Sequence, residues 1–418
     1  MEPYFYNAHA HIFTIDHVPD EFAKGYVSLF GRTIKISWLR KKGIIEWLVR
    51  KVPMLFKKDD DIMERLINVV KYGTGKDGKG TTTQEKIFNT MQNFYPLGTR
   101  FIVLPMDMEY IDAGVVPEDY SEQISQLRDL KVSYKELIYP FIFGHPERFE
   151  RDASYQGRFE LALKSEGFAG IKMYPALGYW PFDSRLEQVY DFAVEHNIPI
   201  MTHCVRGVVH DRGPKRFEKH PIKTSADLPG KKSKEYTVHY THPINFHCLL
   251  DADIISDHWG KKKDYSKLKV CLAHFGGAEE WGKYLNNPWV ADEDDTSGAD
   301  TFDPLEMDHW DFDLETKAGQ YSWYSVIIAM IRKHENLYAD VSFMLYDRDT
   351  WPLLQLLLTT DQKIKERVLF GTDFYVVAQK DTERALSIGL RSFLGEDLFF
   401  QISKTNVEAY LTTDFQTF

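Results

Sequence analysis

Short apolar runs recur along the chain, and many are followed by residues spaced as on one face of a helix. This alternation is the pattern of βα units that pack into a parallel sheet. Eight runs read as strands: 4–13, 100–107, 138–144, 168–174, 198–203, 268–274, 337–343 and 367–373. Their interiors, among them FIVLPM, LIYPFIF, IPIMTHC and LYADVSF, are almost continuously apolar, as in strands covered on both faces. Between the fourth and fifth runs, Leu186, Val189, Tyr190, Ala193 and Val194 fall at helical spacing. They predict a helix over 183–197 with Asp183 as its N-cap. A second helix is predicted over 351–366, ahead of the last strand. Eight such strands favour a closed (β/α)8 TIM barrel over an open doubly wound sheet, and 418 residues suit one barrel with insertions.

Three connections are too long to be ordinary loops: 16–98, 204–267 and 278–335. Each leaves the C-terminal end of a strand, the face on which barrel enzymes build their sites. They read as cap and specificity elements of a single domain spanning 1–418. The first carries a basic amphipathic stretch at 37–58, read as capping the barrel, and the segment GTGKDGKG at 73–80. That segment is not a phosphate loop, because Gly80 stands where a Ser or Thr is required and no apolar strand precedes it.

Charge refines this picture. The net charge of −11 argues against sequence-independent nucleic-acid binding, which needs a basic face. Residues 292–315 alone hold 11 acidic residues and no Lys or Arg, so one acidic loop accounts for the balance. Gly298 is misplaced for an EF-hand, and a solvated acidic loop is the reading adopted. Cys204, Cys248 and Cys271 form no Cys-x-x-Cys pair, which points to a reducing compartment. The opening MEPYFYNAHAHIF has no basic segment ahead of an apolar one, and no run of about 18 apolar residues occurs. A cytoplasmic protein with no membrane and no nucleic-acid partner is expected.

The chemistry sits at strand ends. His9 and His11 are two residues apart on the first strand, so both imidazoles point the same way and can grip one ion. His203 ends the fifth strand, His274 the sixth and Asp373 the eighth. Polar groups at the ends of apolar strands cost several kcal/mol when buried without partners, and one shared ion satisfies all of them. Three imidazoles and a carboxylate, with a position left for water, suit Zn²⁺ or a similar divalent metal.

The segments NAHAHIF, GIKMYP, THC, LAHFGG, FGTD and ISKTNVEAYL together resemble the amidohydrolase superfamily, in its amidohydrolase-related (type 2) branch. The similarity runs over nearly all eight strands and leaves the three insertions unmatched. The resemblance implies His9, His11, His203 and Asp373 as ligands of one divalent metal. It implies His274 as base or electrostatic helper beside a metal-activated water, with Asp373 also moving protons. Lys172, in the fourth strand, corresponds to the lysine that binuclear members carboxylate to bridge two metals; an unmodified lysine and one ion is the reading adopted. The implied reaction is hydrolysis of an amide, ester or lactone type bond, with decarboxylation or hydration of an aromatic or unsaturated acid as the alternative. A non-catalytic binding barrel ranks below both, because the ligand set is intact. Homodimers are common among such barrels.

Other side chains carry weaker assignments. Arg206 can clamp the carboxylate of a small, anionic substrate or be a solvated loop residue, and His145 can line the pocket or cap the turn at Pro146. Asp340, on the seventh strand, can orient a ligand. His210 belongs to the basic stretch after His203, His242 reads as structural, and His309, Trp310 and Trp323 belong to the acidic insertion.

Overall fold

The computed structural model describes residues 4–22, 28–29, 32–33, 82–206, 220–222, 239–286, 322–375 and 382–418. The basic stretch 37–58, the GTGKDGKG segment, the acidic run, His210, His309 and Trp310 lie outside them.

Eight strands form one parallel sheet in chain order: β1 (Tyr6–Ala10), β2 (Arg100–Val103), β3 (Ile138–Phe143), β4 (Gly170–Met173), β5 (Ile200–Val205), β6 (Val270–Gly276), β7 (Leu337–Asp340) and β8 (Val368–Leu369). The sheet closes on itself. Ala8 N donates to Phe370 O at 2.8 Å, Asp373 N to His9 O at 2.9 Å, and a parallel bridge joins Ala10 to Phe374. A (β/α)8 barrel is the result. Gly371 permits the seam, since a Cβ there would lie 2.7 Å from that of His9.

The barrel interior is filled from alternate positions: Tyr6 and Ala8 of β1, Ile102, Tyr139, Phe141, Met201, Cys271, Tyr338 and Leu369. Val407, Tyr410 and Leu411 of the helix Asn406–Leu411 join this cluster and plug its N-terminal end. Outward positions of the same strands pack under the helices in a much larger second layer. Burying each such Ile, Leu or Val contributes about 1.5–3 kcal/mol. One end of the barrel is thus sealed by apolar side chains, and the C-terminal end carries the polar residues.

The helix expected over 183–197 forms as a short 3-10 turn capped by Asp183, which accepts from Arg185 N, followed by Glu187–Glu195. The one expected over 351–366 breaks at Asp361, whose side chain caps the second piece, Gln362–Lys365, after Trp351–Thr360. The expected insertions also contain crossover helices at their ends: Gln84–Gln92 in the first, Ile244–Leu250 and Ala252–Trp259 in the second, Ala278–Asn286 and Trp323–Lys333 in the third. Among the described residues no helix is long and apolar enough to cross a membrane.

Several strands are shorter than their apolar runs, and the reason matters for the site. On β1 the pairing with β2 slips between Asn7 and Ala10, so three steps on β1 face two on β2. This bulge turns His9 and His11 inward and puts Ala10, which the period of Tyr6 and Ala8 would place inside, on the helix side. A second slip lies between β5 and β6: His203 faces Ala273, but Val205 faces Gly276. The extra residue sits where His274 and Phe275 take φ of 68° and 47°. Three of the candidate histidines, His9, His11 and His274, therefore owe their aim to bulges at the barrel rim.

Candidate metal centre

His9, His11 and Asp373 converge. Their donor atoms lie within 4.8 Å of one another, as do those of His9, His274 and Asp340. His9 Nε2 is 3.6 Å and His11 Nε2 3.4 Å from the same oxygen, Asp373 Oδ1. The other ring nitrogens fix the tautomers. His11 Nδ1 lies 2.9 Å from the carbonyl of Leu104, which can only accept, and His9 Nδ1 lies 2.8 Å from Asp340 Oδ2. Both Nδ1 atoms carry the proton, so both Nε2 atoms present lone pairs. Burial, reinforced by the charge of Lys172, pushes His11 down to about 3 and His9 well below the usual imidazole range, so neither ring is protonated near neutrality. The two imidazole lone pairs thus face one carboxylate oxygen with no hydrogen between them, and His9 Nε2, fully buried, has no hydrogen-bond partner among the described residues. A divalent cation resolves this arrangement, and the donor set of two imidazoles and a carboxylate suits one.

The remaining histidines form a chain beside this point. Asp340 Oδ1 accepts from His274 N at 3.0 Å, from Ser342 N at 2.9 Å and from the Ser342 hydroxyl. Ser342 Oγ in turn faces His274 Nδ1 at 2.9 Å, and His274 Nε2 faces His203 Nδ1 at 3.0 Å. Since the serine proton goes to Asp340, His274 donates from Nδ1 and takes the His203 proton at Nε2. His203 then turns Nε2 lone-pair outward, with its ring stacked 4.1 Å from that of Tyr174. Burial also holds His274 well below the usual range.

Lys172 is fully buried inside the barrel, and among the described residues its Nζ has no hydrogen-bond partner. Burial lowers it to about 8, while Asp340 and Asp373 pull the other way. Asp373 itself sits at φ 60° and Phe343, whose ring lies 5.7 Å from that of His274, at φ 61°. Such left-handed non-glycine residues cost about 1–3 kcal/mol each and concentrate at functional sites.

Arg206 and His145 have partners of their own. Arg206 Nε bonds Glu280 Oε1 at 2.6 Å and its guanidinium lies 4.7 Å from the Trp323 ring centroid. Glu280 also accepts from Trp323 N and Lys283, so the Arg206 charge already has a carboxylate. His145 caps the helix Pro146–Arg151, accepting from Glu147 N at 3.2 Å, with its ring among Phe143, Tyr110 and Tyr179. His242 Nδ1 accepts from Ile244 N, and its ring packs on Trp323. Ser342, the Leu104 carbonyl and the buried side chains of Asn7, Thr372, Tyr95 and Glu383 behind β1 and β8 carry no sequence signal. Only the neighbourhood of Asn7 and Thr372 to ligand positions marked them at all.

Solved structures share the architecture. The chain matches a 5-carboxyvanillate decarboxylase from Novosphingobium aromaticivorans, complexed with manganese and 4-hydroxy-3-methoxy-5-nitrobenzoic acid, at 12% identity, 98% of this chain, 96% of that one and a TM-score of 0.51. It also matches an amidohydrolase II at 16% identity, 97% and 99% coverage and 0.48. A third match is the 4-oxalomesaconate hydratase of Rhodopseudomonas palustris, at 14%, 97% and 95% coverage and 0.43. At these identities the likeness is one of fold, and it agrees with the architecture expected from the amidohydrolase resemblance. No family model and no curated protein matches the chain.

Proposed function

We propose that this chain is a metal-dependent enzyme of the amidohydrolase-related kind acting on a small carboxylic acid. The convergence of His9 Nε2, His11 Nε2 and Asp373 Oδ1 on one point supports this most directly. His203 is assigned as the fourth ligand, through Nε2. When bound, a divalent ion supplies a Lewis acid for an oxygen of substrate or water. Around it, His274 Nε2 and Asp373 are the atoms that hold and move protons, Lys172 neutralises developing negative charge, and Arg206 and His145 are assigned to the acid's binding. One ion per chain is the reading, with Lys172 uncarboxylated.

Within this frame, non-hydrolytic cleavage or hydration of the acid is favoured. The neighbour with a TM-score of 0.51 is named as a decarboxylase and was solved with manganese and a substituted benzoic acid. Mn²⁺ therefore stands beside Zn²⁺ as the candidate ion. Hydrolysis of an amide, ester or lactone is the second reading, carried by the sequence motifs. The full-length protein, loaded with Mn²⁺ or Zn²⁺ and offered aromatic acids, unsaturated acids and lactones, separates them. Acid consumption with CO₂ release, or hydration of an unsaturated acid, supports the first reading; turnover of lactones or esters alone overturns it in favour of the second.

A further inference from the structure

The bulge that turns His9 inward takes its backbone N–H out of the β1–β2 ladder, and a buried N–H needs an acceptor. Asn7 Oδ1 supplies it at 3.1 Å and also accepts the N–H of Thr372, across the barrel seam, at 3.2 Å. One side-chain oxygen thus ties the backbone of His9 to the residue preceding Asp373. The other end of the amide is fixed as well. Asn7 Nδ2 donates to Tyr95 Oη at 2.9 Å and Thr372 Oγ1 at 2.8 Å, and both hydroxyls donate to Glu383 Oε2. Asn7, Thr372, Tyr95 and Glu383 are all buried. They come from β1, the β8 end, the loop after Gln84–Gln92 and the helix Glu383–Leu394.

This placement has a purpose that packing alone does not explain. The seam holds a left-handed Asp373, and only a glycine fits at 371 against His9, so the spacing of the two donors depends on close backbone packing there. An apolar pair at positions 7 and 372 would fill the space but leave two buried N–H groups unmet.

We propose that Asn7, held by Tyr95, Thr372 and Glu383, is the positioning residue that fixes His9 against Asp373 and so sets the affinity of the site for a divalent cation. The inference rests on the metal reading above. Loss of a group that orients ligands from behind lowers metal affinity about 10–100-fold. The test is the dissociation constant of Mn²⁺ and of Zn²⁺ for the demetallated full-length protein, by competition with a chromophoric chelator, alongside the thermal midpoint. Asn7→Ala is expected to weaken binding by at least about tenfold. Leu390→Ala, a buried change on the Glu383 helix with no polar contact, controls for stability and is expected to lower the midpoint while leaving affinity unchanged. Should Asn7→Ala fail to fold, Tyr95→Phe removes one tether without changing shape and is expected to weaken binding by severalfold. Wild-type affinity in Asn7→Ala, or in Tyr95→Phe where that variant is the one read, overturns the inference and leaves the metal reading intact. A weakening in Leu390→Ala equal to that in Asn7→Ala, at a matched midpoint, overturns it likewise. Absence of any ion binding by the wild type overturns both.

Discussion

His9 Nδ1 and Asp340 Oδ2 lie 2.8 Å apart, both fully buried. Because the same carboxylate receives His274 N and Ser342 N through Oδ1, one side chain orients two of the site's histidines. Asp340→Asn puts an amide where two oxygens each have a fixed proton donor. It is predicted to lower metal affinity about 10–100-fold with the circular dichroism spectrum unchanged, as measured by chelator competition. Unchanged affinity would mean that the His9 tautomer does not matter to the site.

Lys172 gives a sharper contrast. A buried amine with no hydrogen-bond partner among the described residues feels the charge of two carboxylates, Asp340 and Asp373, and burial brings it to about 8. If it serves as an unmodified cation, Lys172→Met leaves one ion per chain and lowers turnover by at least about 100-fold, the size of effect seen when one preorganised charge is removed. A wild-type metal content near two per chain, falling in the variant, would establish a carboxylated bridge instead.

The architecture was legible because burial on both faces leaves strands nearly unbroken runs of apolar residues, as in Phe101, Ile102 and Val103. The strand-end positions of His203, His274 and Asp373 were legible for the complementary reason, that polar residues there interrupt such runs. What escaped the sequence was local geometry. Period-two alternation places His9 and His11 on one face, but not on the face shared with Tyr6 and Ala8; that requires the bulge at β1. Likewise nothing in LAHFGG says that His274 leaves the β-region, and Gly276 and Gly277 beside it, at φ 82° and 91°, are the sole trace of the irregularity. Ser342 and Asn7 are small polar residues whose role exists only once distant strands meet. The pairing of Arg206 Nε with Glu280 Oε1, 74 positions away, is likewise set only by the fold.

Away from the site, His247 Nδ1 and His334 Nε2 lie 2.9 Å apart between the helices Ile244–Leu250 and Trp323–Lys333. Burial lowers His247 to about 4 and His334 to about 3. Both folded values are below the unfolded value of about 6.5, so the pair contributes stability that is present above that pH and is lost as pH falls towards 4. Each group adds up to about 1.4 kcal/mol of unfolding free energy per pH unit in that window. Replacing both with leucine is predicted to flatten the dependence of urea-unfolding stability on pH between 6.5 and 4. An unaltered slope would show that the pair is protonated in the folded state.

The most direct test of the central claim is the metal content of the purified full-length protein and of its His11→Ala and Asp373→Ala variants, by elemental analysis after exchange into metal-free buffer with one added equivalent of Mn²⁺ or Zn²⁺. The account predicts close to one tightly held ion per wild-type chain and almost none in either variant, with helical content preserved in all three. A wild-type chain that retains no stoichiometric ion, or variants that hold it as firmly as the wild type, would contradict it.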